Sequence, residues 1–374
     1  MRFAPLDGVR VVDVTASLAG PACTQLLAAL GAEVLKIEPP GGDHARAWGP
    51  PFVGGDGALF FAANAGKRSL VLDLARDRDR LLALVDEADV FVQGLRPGLA
   101  ERRGLSADAL RARNARLVYC SIGAYGTVGP LADRPGYDPL MQAASGIMSV
   151  TGGADGPPVR VGVSLVDFAT GQWAAAGILA ALLERERSGR GATIETSLYE
   201  TALALLAGQI AGFAASGETP GRHGSAFPLI APYEVFPTSD GGLMVAAGSD
   251  ALWQRLRGAL GLADDERFRT NPDRVRNREA LRGVVADVLR TQPSEVWERD
   301  LAAAGVPAAP VRTVPEAVAH AQTTALGVLQ QLGSGVAVAP PLTIDGERIV
   351  HRSPPPELGS GATLPPTEER PEPP

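Results

Sequence analysis

Apolar positions follow two alternating rhythms along the first third of the chain. Val9–Thr15 is a short, nearly continuous apolar run, the pattern of a strand covered on both faces. Pro21–Leu30 is longer, opens on proline and closes on Gly31, the punctuation of a helix. Glu33–Glu38 returns to the strand rhythm, and strand, helix and strand in so short a span predict a parallel βαβ unit. The alternation continues through strand Ser69–Leu74, helix Asp77–Ala88, strand Val90–Gln93, helix Ser106–Arg113 and strand Leu117–Ile122. The fold class this predicts is α/β, with a doubly wound, Rossmann-like large domain.

Further along, Pro139–Ser149 reads as helical, Gly152–Pro158 as a turn, and Val159–Val166 as a strand-like run leading into a long apolar helix from Asp167 to about Arg187. Ser188-Gly-Arg-Gly breaks the chain before a strand and helix over Thr193–Phe213. Composition shifts place a linker at 214–230 and a smaller α+β domain at 231–312, ordered strand, strand, helices, strand. Residues 316–352 are expected to complete the large domain at 1–213, and the Pro- and Glu-rich tail 353–374 to be disordered.

Hydrophobic residues at 45% and charged residues at 21% leave a core of ordinary size to be buried. A formal charge of −7 argues against nucleic acid as a partner, but leaves room for an anion held in a local basic pocket. Cys23 and Cys120 stand in apolar surroundings and read as buried free thiols of a reducing compartment. The first residues enter a strand directly, without the pattern of a signal peptide. The longest apolar runs, Trp173–Leu183 and Ala202–Ala215, fall short of the ~20 residues that span a bilayer. A cytoplasmic protein with no membrane partner is expected. Lys36 and Lys67 are the only lysines among 35 basic residues, so arginine abundance by itself says little about anion binding.

The common chemical fingerprints are missing. The turn after the first strand, Thr15-Ala-Ser-Leu-Ala-Gly-Pro, is not GxGxxG, and there is no Walker loop, HExxH or GxSxG. His44, His223, His320 and His351 lack metal-ligand spacing, so no metal site is expected. What stands out is Asp167 at the head of the most apolar helix. An aspartate there is a preferred N-cap. It is equally a carboxylate that the helix dipole and nearby N–H groups can hold ionised, able to attack a thioester carbonyl. Spacing leaves both readings open.

Several stretches read together resemble the class III coenzyme A-transferases, the family that also contains carnitine CoA-transferase and the 2-methylacyl-CoA racemases. They are Leu6–Asp13 with Gly31–Glu38, Lys67–Asp73, Arg96-Pro-Gly, and Gly136-Tyr-Asp through Gly162–Gly171. Gly177–Leu182 with Gly189-Arg-Gly, and Ala231-Pro-Tyr with Asp240-Gly, extend the match in order over roughly residues 5–350. The resemblance implies acyl-CoA and carboxylic acid substrates, no permanently bound cofactor, and an interlocked homodimer threaded through linkers such as Ala214–Ser225 and Val311–Leu329. It makes Asp167 the nucleophile, which forms a mixed anhydride and then an aspartyl-CoA thioester. Coenzyme A contacts fall on Ser17 and Leu18, on Leu72 and Ala75, on Gly94, Leu95 and Arg96, on Arg102, and on Arg134 and Tyr137. Phosphates need such cations and loop N–H groups at strand ends.

Two departures are informative. Formyl-CoA transferase has a glutamine after the first strand where this chain has Leu18, and a glycine run where it has Gly221-Arg-His-Gly-Ser-Ala-Phe-Pro. A substrate other than formyl-CoA or oxalyl-CoA follows, with Gly221–Gly224 as the candidate cover over the site. The racemases carry Gly-His-Asp where this chain has Gly136-Tyr137-Asp138. Tyrosine titrates near ~10 and is a poor base at neutral pH, so transfer is favoured over the alternative, α-proton exchange. Tyr137 and Asp138 then support the site.

Overall fold

The computed structural model describes residues 3–361. The large unit is built from β1 (Arg10–Val14), α1 (Ala19–Ala29), β2 (Glu33–Glu38), β3 (Arg68–Val71), α2 (Arg78–Asp86), β4 (Val90–Gln93), α3 (Ala107–Arg113), β5 (Val118–Gly123), α4 (Asp138–Ser145), α5 (Leu165–Ser188), β6 (Thr193–Ser197), α6 (Leu198–Leu205) and α7 (Ala207–Ser216). Its six strands pair in the order β3-β2-β1-β4-β5-β6, and every pair is parallel. In β1, Val11 and Val12 lie opposite Val34 and Leu35 on one side and Val90 and Phe91 on the other. A strand paired on both edges inside a parallel sheet must bury both faces, and all five residues of β1 are buried. Sequence order reverses between β1 and β4, which opens a crevice at their carboxyl ends.

One face of the sheet, with Val12, Leu35, Leu70, Leu72, Phe91 and Tyr119, packs on Leu81, Leu82 and Val85 of α2 and on Leu110 of α3. The other carries α1 and α5, which pack along one another. Their approach depends on Gly171: a Cβ there would stand 2.6 Å from the Ala19 carbonyl oxygen and 3.1 Å from the Cys23 nitrogen. The first turn of α1 therefore rests against α5 one turn past Asp167. Helix α5 is also longer than the apolar run inside it. At 24 residues it is long and apolar enough to cross a bilayer, which corrects the shorter estimate from Trp173–Leu183 alone. Its buried positions, including Val166, Thr170, Ala174, Ile178 and Ala181, pack into the large unit.

The second unit comprises residues 148–160 and 216–322. Strands β7 (Tyr233–Pro237), β8 (Gly242–Ala246) and β9 (Ala308–Pro310) form an antiparallel sheet in the order β9-β8-β7, with helices α8 (Asp250–Ala259), α9 (Arg278–Leu289) and α10 (Ser294–Ala303). Trp253, Phe236, Leu243, Leu281 and Trp297 share its core. Residues 148–160 belong here, where the sequence reading assigned them to the large domain. So do 214–230 in part and 316–322, the boundaries falling after Ala215 and Gln322.

Two local expectations change, and the local contacts of Gly221–Gly224 are defined. Val159–Val166 is not a strand: Val159 and Val163 are exposed, no sheet edge pairs with them, and the Val161 N–H donates to Gln142 Oε1 at 2.8 Å. Gly221–Gly224 is tied within its own unit, with Arg222 donating to the Gly156 carbonyl at 2.8 Å and Gly224 to that of Gly152 at 2.9 Å. Residues 353–361 are held rather than loose, because Gly359 and Gly361 donate to Ser69 Oγ and O at 3.1 and 2.7 Å and Ser353 accepts from Gly66. The remainder of the expected tail, 362–374, lies outside the described residues.

Candidate active site

The crevice begins with the loop that leaves β1. Asp13, at the end of that strand, is fully buried and accepts from the Thr15 N–H at 2.9 Å, Thr15 Oγ1 at 2.5 Å, Thr24 Oγ1 at 2.6 Å and Lys67 Nζ at 3.2 Å. Lys67 also donates to the Pro21 carbonyl and Asn64 Oδ1, each at 2.9 Å. Lys36 donates to the Thr15 carbonyl at 2.9 Å and pairs with Asp43 at 2.9 Å. The two lysines of the chain thus grip both ends of the 15–21 loop from beneath. Burial works against each charge here. It pushes Lys67 down to about 8 against the pull of Asp13, while the two lysines and two hydroxyls outweigh it at Asp13 and hold that carboxyl at about 2.

Above this foundation is a cleft of about 980 Å³. Its walls come from the loops after β1, β4 and β5 and from the first turn of α5. Of the residues expected from sequence, Ser17, Gly94, Leu95, Arg96, Arg134, Tyr137 and Asp167 line it together. Gln93 braces the second loop, accepting from the Leu95 N–H at 2.8 Å and donating to Ser121 at 2.7 Å. Others lie elsewhere. Leu18 and Leu72 turn into the core, Leu18 because it precedes α1 facing the sheet side and Leu72 because it belongs to the α2 face. Ala75 is exposed on the turn after β3, its N–H held by Asp73. The Arg102 guanidinium covers Gly98 from outside the lining, with its Nη1 2.7 Å from where a Gly98 Cβ would be.

Asp138, rather than Asp167, takes the free N–H groups at the start of α5. Buried at the start of α4, its Oδ2 accepts from the Val166 and Asp167 N–H groups at 2.8 and 3.2 Å, and its Oδ1 accepts from Gln142 at 2.6 Å. Helix α5 is therefore capped by a residue from another helix, and Ser164, at its N-cap position, makes no side-chain cap. The Asp167 carboxylate is released from that duty and faces the cleft. It is not held ionised, as the helix-end position alone implied. Burial first, and the Asp138 charge second, raise it from 3.8 to about 7. A carboxylate so placed is more basic than usual.

Sequence reasoning passed over Thr15, His44 and Ser121, which also line the cleft. His44 had a faint signal: a histidine six residues beyond the end of β2 sits where strand ends meet the crevice.

Known proteins share this architecture. The CoA-transferase family III model matches residues 6–361. The chain is 40% identical over 357 residues to acetyl-CoA:oxalate CoA-transferase of Acetobacter aceti, covering 94% of this chain and 92% of that protein. It is 41% identical over 380 residues to succinate–glutarate CoA-transferase of Agrobacterium fabrum, covering 96% and 94%. The crystal structure of a CAIB/BAIF family protein from Brucella suis superposes with a TM-score of 0.87 at 38% identity, over 96% of this chain and 97% of that one. The chain belongs to CoA-transferase family III, and is an enzyme that moves coenzyme A between an acyl-CoA thioester and a free carboxylate.

Proposed function

We propose that transfer runs through covalent intermediates on Asp167 and that the acceptor acid is dicarboxylic. The observation that carries the first part is the Asp167 carboxylate, free of capping duty and open to the cleft because Asp138 takes the α5 N–H groups. The carboxylate adds to the donor thioester carbonyl, the C–S bond breaks, and a mixed anhydride and CoA thiolate result. The thiolate attacks the aspartyl carbonyl and expels the donor acid, leaving aspartyl-CoA. The acceptor carboxylate displaces the thiolate to form a second anhydride, whose substrate carbonyl the thiolate then attacks. Asp167 is regenerated. Arg96 and Arg134 are the cleft guanidiniums suited to CoA phosphates, and Tyr137, 52% exposed, flanks the thiol arm. The support for a dicarboxylic acceptor is the relative named for succinate and glutarate.

The working unit in this reading is an interlocked homodimer. Helix α7 has the sequence AGQIAGFAAS and buries none of its residues, while Trp173 and Leu183 of α5 are 61% and 64% exposed. Such apolar helix faces are covered in the functional state, and a second copy is the partner proposed. Light scattering should give about twice 38.7 kDa at every dilution. Two buried free thiols, Cys23 and Cys120, support a cytoplasmic setting. The test of mechanism is trapping: hydroxylamine added during turnover should modify Asp167 alone, and a fully active Asp167→Ala enzyme overturns the scheme.

A further inference from the structure

Two cleft side chains take no part in the covalent steps above, although the family resemblance counts Ser17 among the coenzyme A contacts. Ser17 Oγ lies 2.7 Å from His44 Nε2, and both residues line the cleft that holds Asp167. Their placement is built from buried groups. Ser17 adopts φ 68, a left-handed conformation that is strained for a residue other than glycine. Its N–H is held by Asp43 Oδ1 at 3.1 Å, and the same oxygen accepts from the Ala45 N–H at 3.0 Å and so starts the turn that carries His44. Asp43 is fixed in turn by Lys36 at 2.9 Å, and its own N–H donates to Glu38 at 2.8 Å. The His44 ring is steadied against Trp48, their centroids 5.2 Å apart.

The pair also stands near the reacting end of the cleft. Ser17 is two residues before Ala19, whose carbonyl rests against Gly171, one turn of α5 beyond Asp167. Arg96 and Arg134 reach the cleft from the loops after β4 and β5, on the other side of β1 from the β2 loop that carries His44. His44 is thus the cationisable side chain contributed from the β1–β2 side. Asp43 Oδ1 lies 3.8 Å from its Nδ1, so a carboxylate already faces the far edge of the ring.

We infer that Ser17 and His44 recognise the second carboxylate of a dicarboxylic substrate, the one that does not react. This rests on the dicarboxylate reading above and assigns residues to it. A hydroxyl and an imidazole N–H that satisfy one another in the free enzyme turn to share one oxyanion, each donating a hydrogen bond. The frame of Asp43 and Lys36 keeps both donors aimed in advance, which lowers the cost of ordering them. A monocarboxylic acid such as butyrate, which lacks the second carboxylate, leaves the pair with nothing to bind.

The test compares glutarate with butyrate as acceptor, using acetyl-CoA and succinyl-CoA in turn as donor, and follows the new CoA ester by mass spectrometry. Wild-type enzyme should favour glutarate. His44→Leu should lower the glutarate-to-butyrate ratio of kcat/KM by about 10–100-fold, mainly through the glutarate KM, as expected for a lost charge-assisted hydrogen bond. His44→Arg, which restores a cation, should recover part of the ratio, and Ser17→Ala should lose part of it. A ratio that stays constant while both rates fall together overturns the proposal, because a role in folding or in CoA binding acts on both acids alike. So does a wild-type enzyme that takes butyrate as readily as glutarate. Either result leaves the Asp167 scheme standing. Failure of that scheme shows separately, as an Asp167→Ala enzyme that still transfers CoA.

Discussion

Replacing Asp167 by asparagine should stabilise the protein at the pH where it works, while abolishing activity. The carboxyl is raised from 3.8 to about 7, with burial the larger cause and Asp138 the smaller. Between those values the folded chain holds a proton that the unfolded chain has released. Stability therefore falls as pH rises through that window, and the full cost is present above about 7. A displacement of about 3 units corresponds to ~4 kcal/mol at 1.36 kcal/mol per unit. Asp167 opens on the cleft, where water screens part of this, so about 2 kcal/mol is the realistic figure. Asparagine has the same shape and no charge to desolvate. For domains of this size about 2 kcal/mol moves Tm by roughly 4–8 °C. Thermal unfolding followed by scanning fluorimetry from pH 4.5 to 8 should show the Asn variant ahead by that margin at pH 8, and the lead shrinking steadily toward pH 4.5. A lead independent of pH, or an Asn variant less stable throughout, would refute the claim that burial and Asp138 load Asp167 with an electrostatic cost.

Asp138→Asn keeps an acceptor for the α5 N–H groups but removes the neighbouring charge, so the acid limb of kcat/KM for the acyl-CoA donor should move down by up to about one pH unit; an unmoved limb excludes Asp138 as a cause. Lys67→Met leaves Asp13 buried with one cation fewer and should cost about 3–5 kcal/mol in urea unfolding, with Asp13→Asn in the same chain recovering much of the loss. Gly171→Ala drives a methyl into the Ala19 carbonyl, so it should destabilise by about 1–3 kcal/mol and lower kcat, since the α1 turn it displaces borders the cleft; unchanged kcat would mean this contact does not position the site.

The large sheet was legible because parallel strands covered on both faces must be written almost wholly in apolar residues, as Val11, Val12, Val34 and Leu35 are. The same rule misled at Val159–Val166, where alternating valines meet no sheet edge and stay outside. The cleft was legible only through its loops at strand ends. What escaped are relations between residues far apart in sequence. Asp138 caps a helix that begins 27 residues later, and nothing local marks it as a cap. Leu18 is placed among the coenzyme A contacts by the family resemblance, yet its side chain is buried beside the left-handed turn at Ser17. Lys67 meets Asp13 across 54 positions, so its purpose is invisible until the sheet closes.

That closure has a practical side. Lys36 and Lys67 are the chain's whole supply of ε-amines, and both are sealed beneath the 15–21 loop at 0% and 3% exposure. A folded molecule therefore offers amine-acylating reagents no exposed ε-amine, the α-amino group being the chain's only other amine. Each ε-amine becomes reactive only when its buried contacts open. Brief exposure to an amine-directed label, read as intact mass, would count opened molecules as those that gain more than the single adduct of the α-amine, with no engineered probe and no spectroscopic baseline.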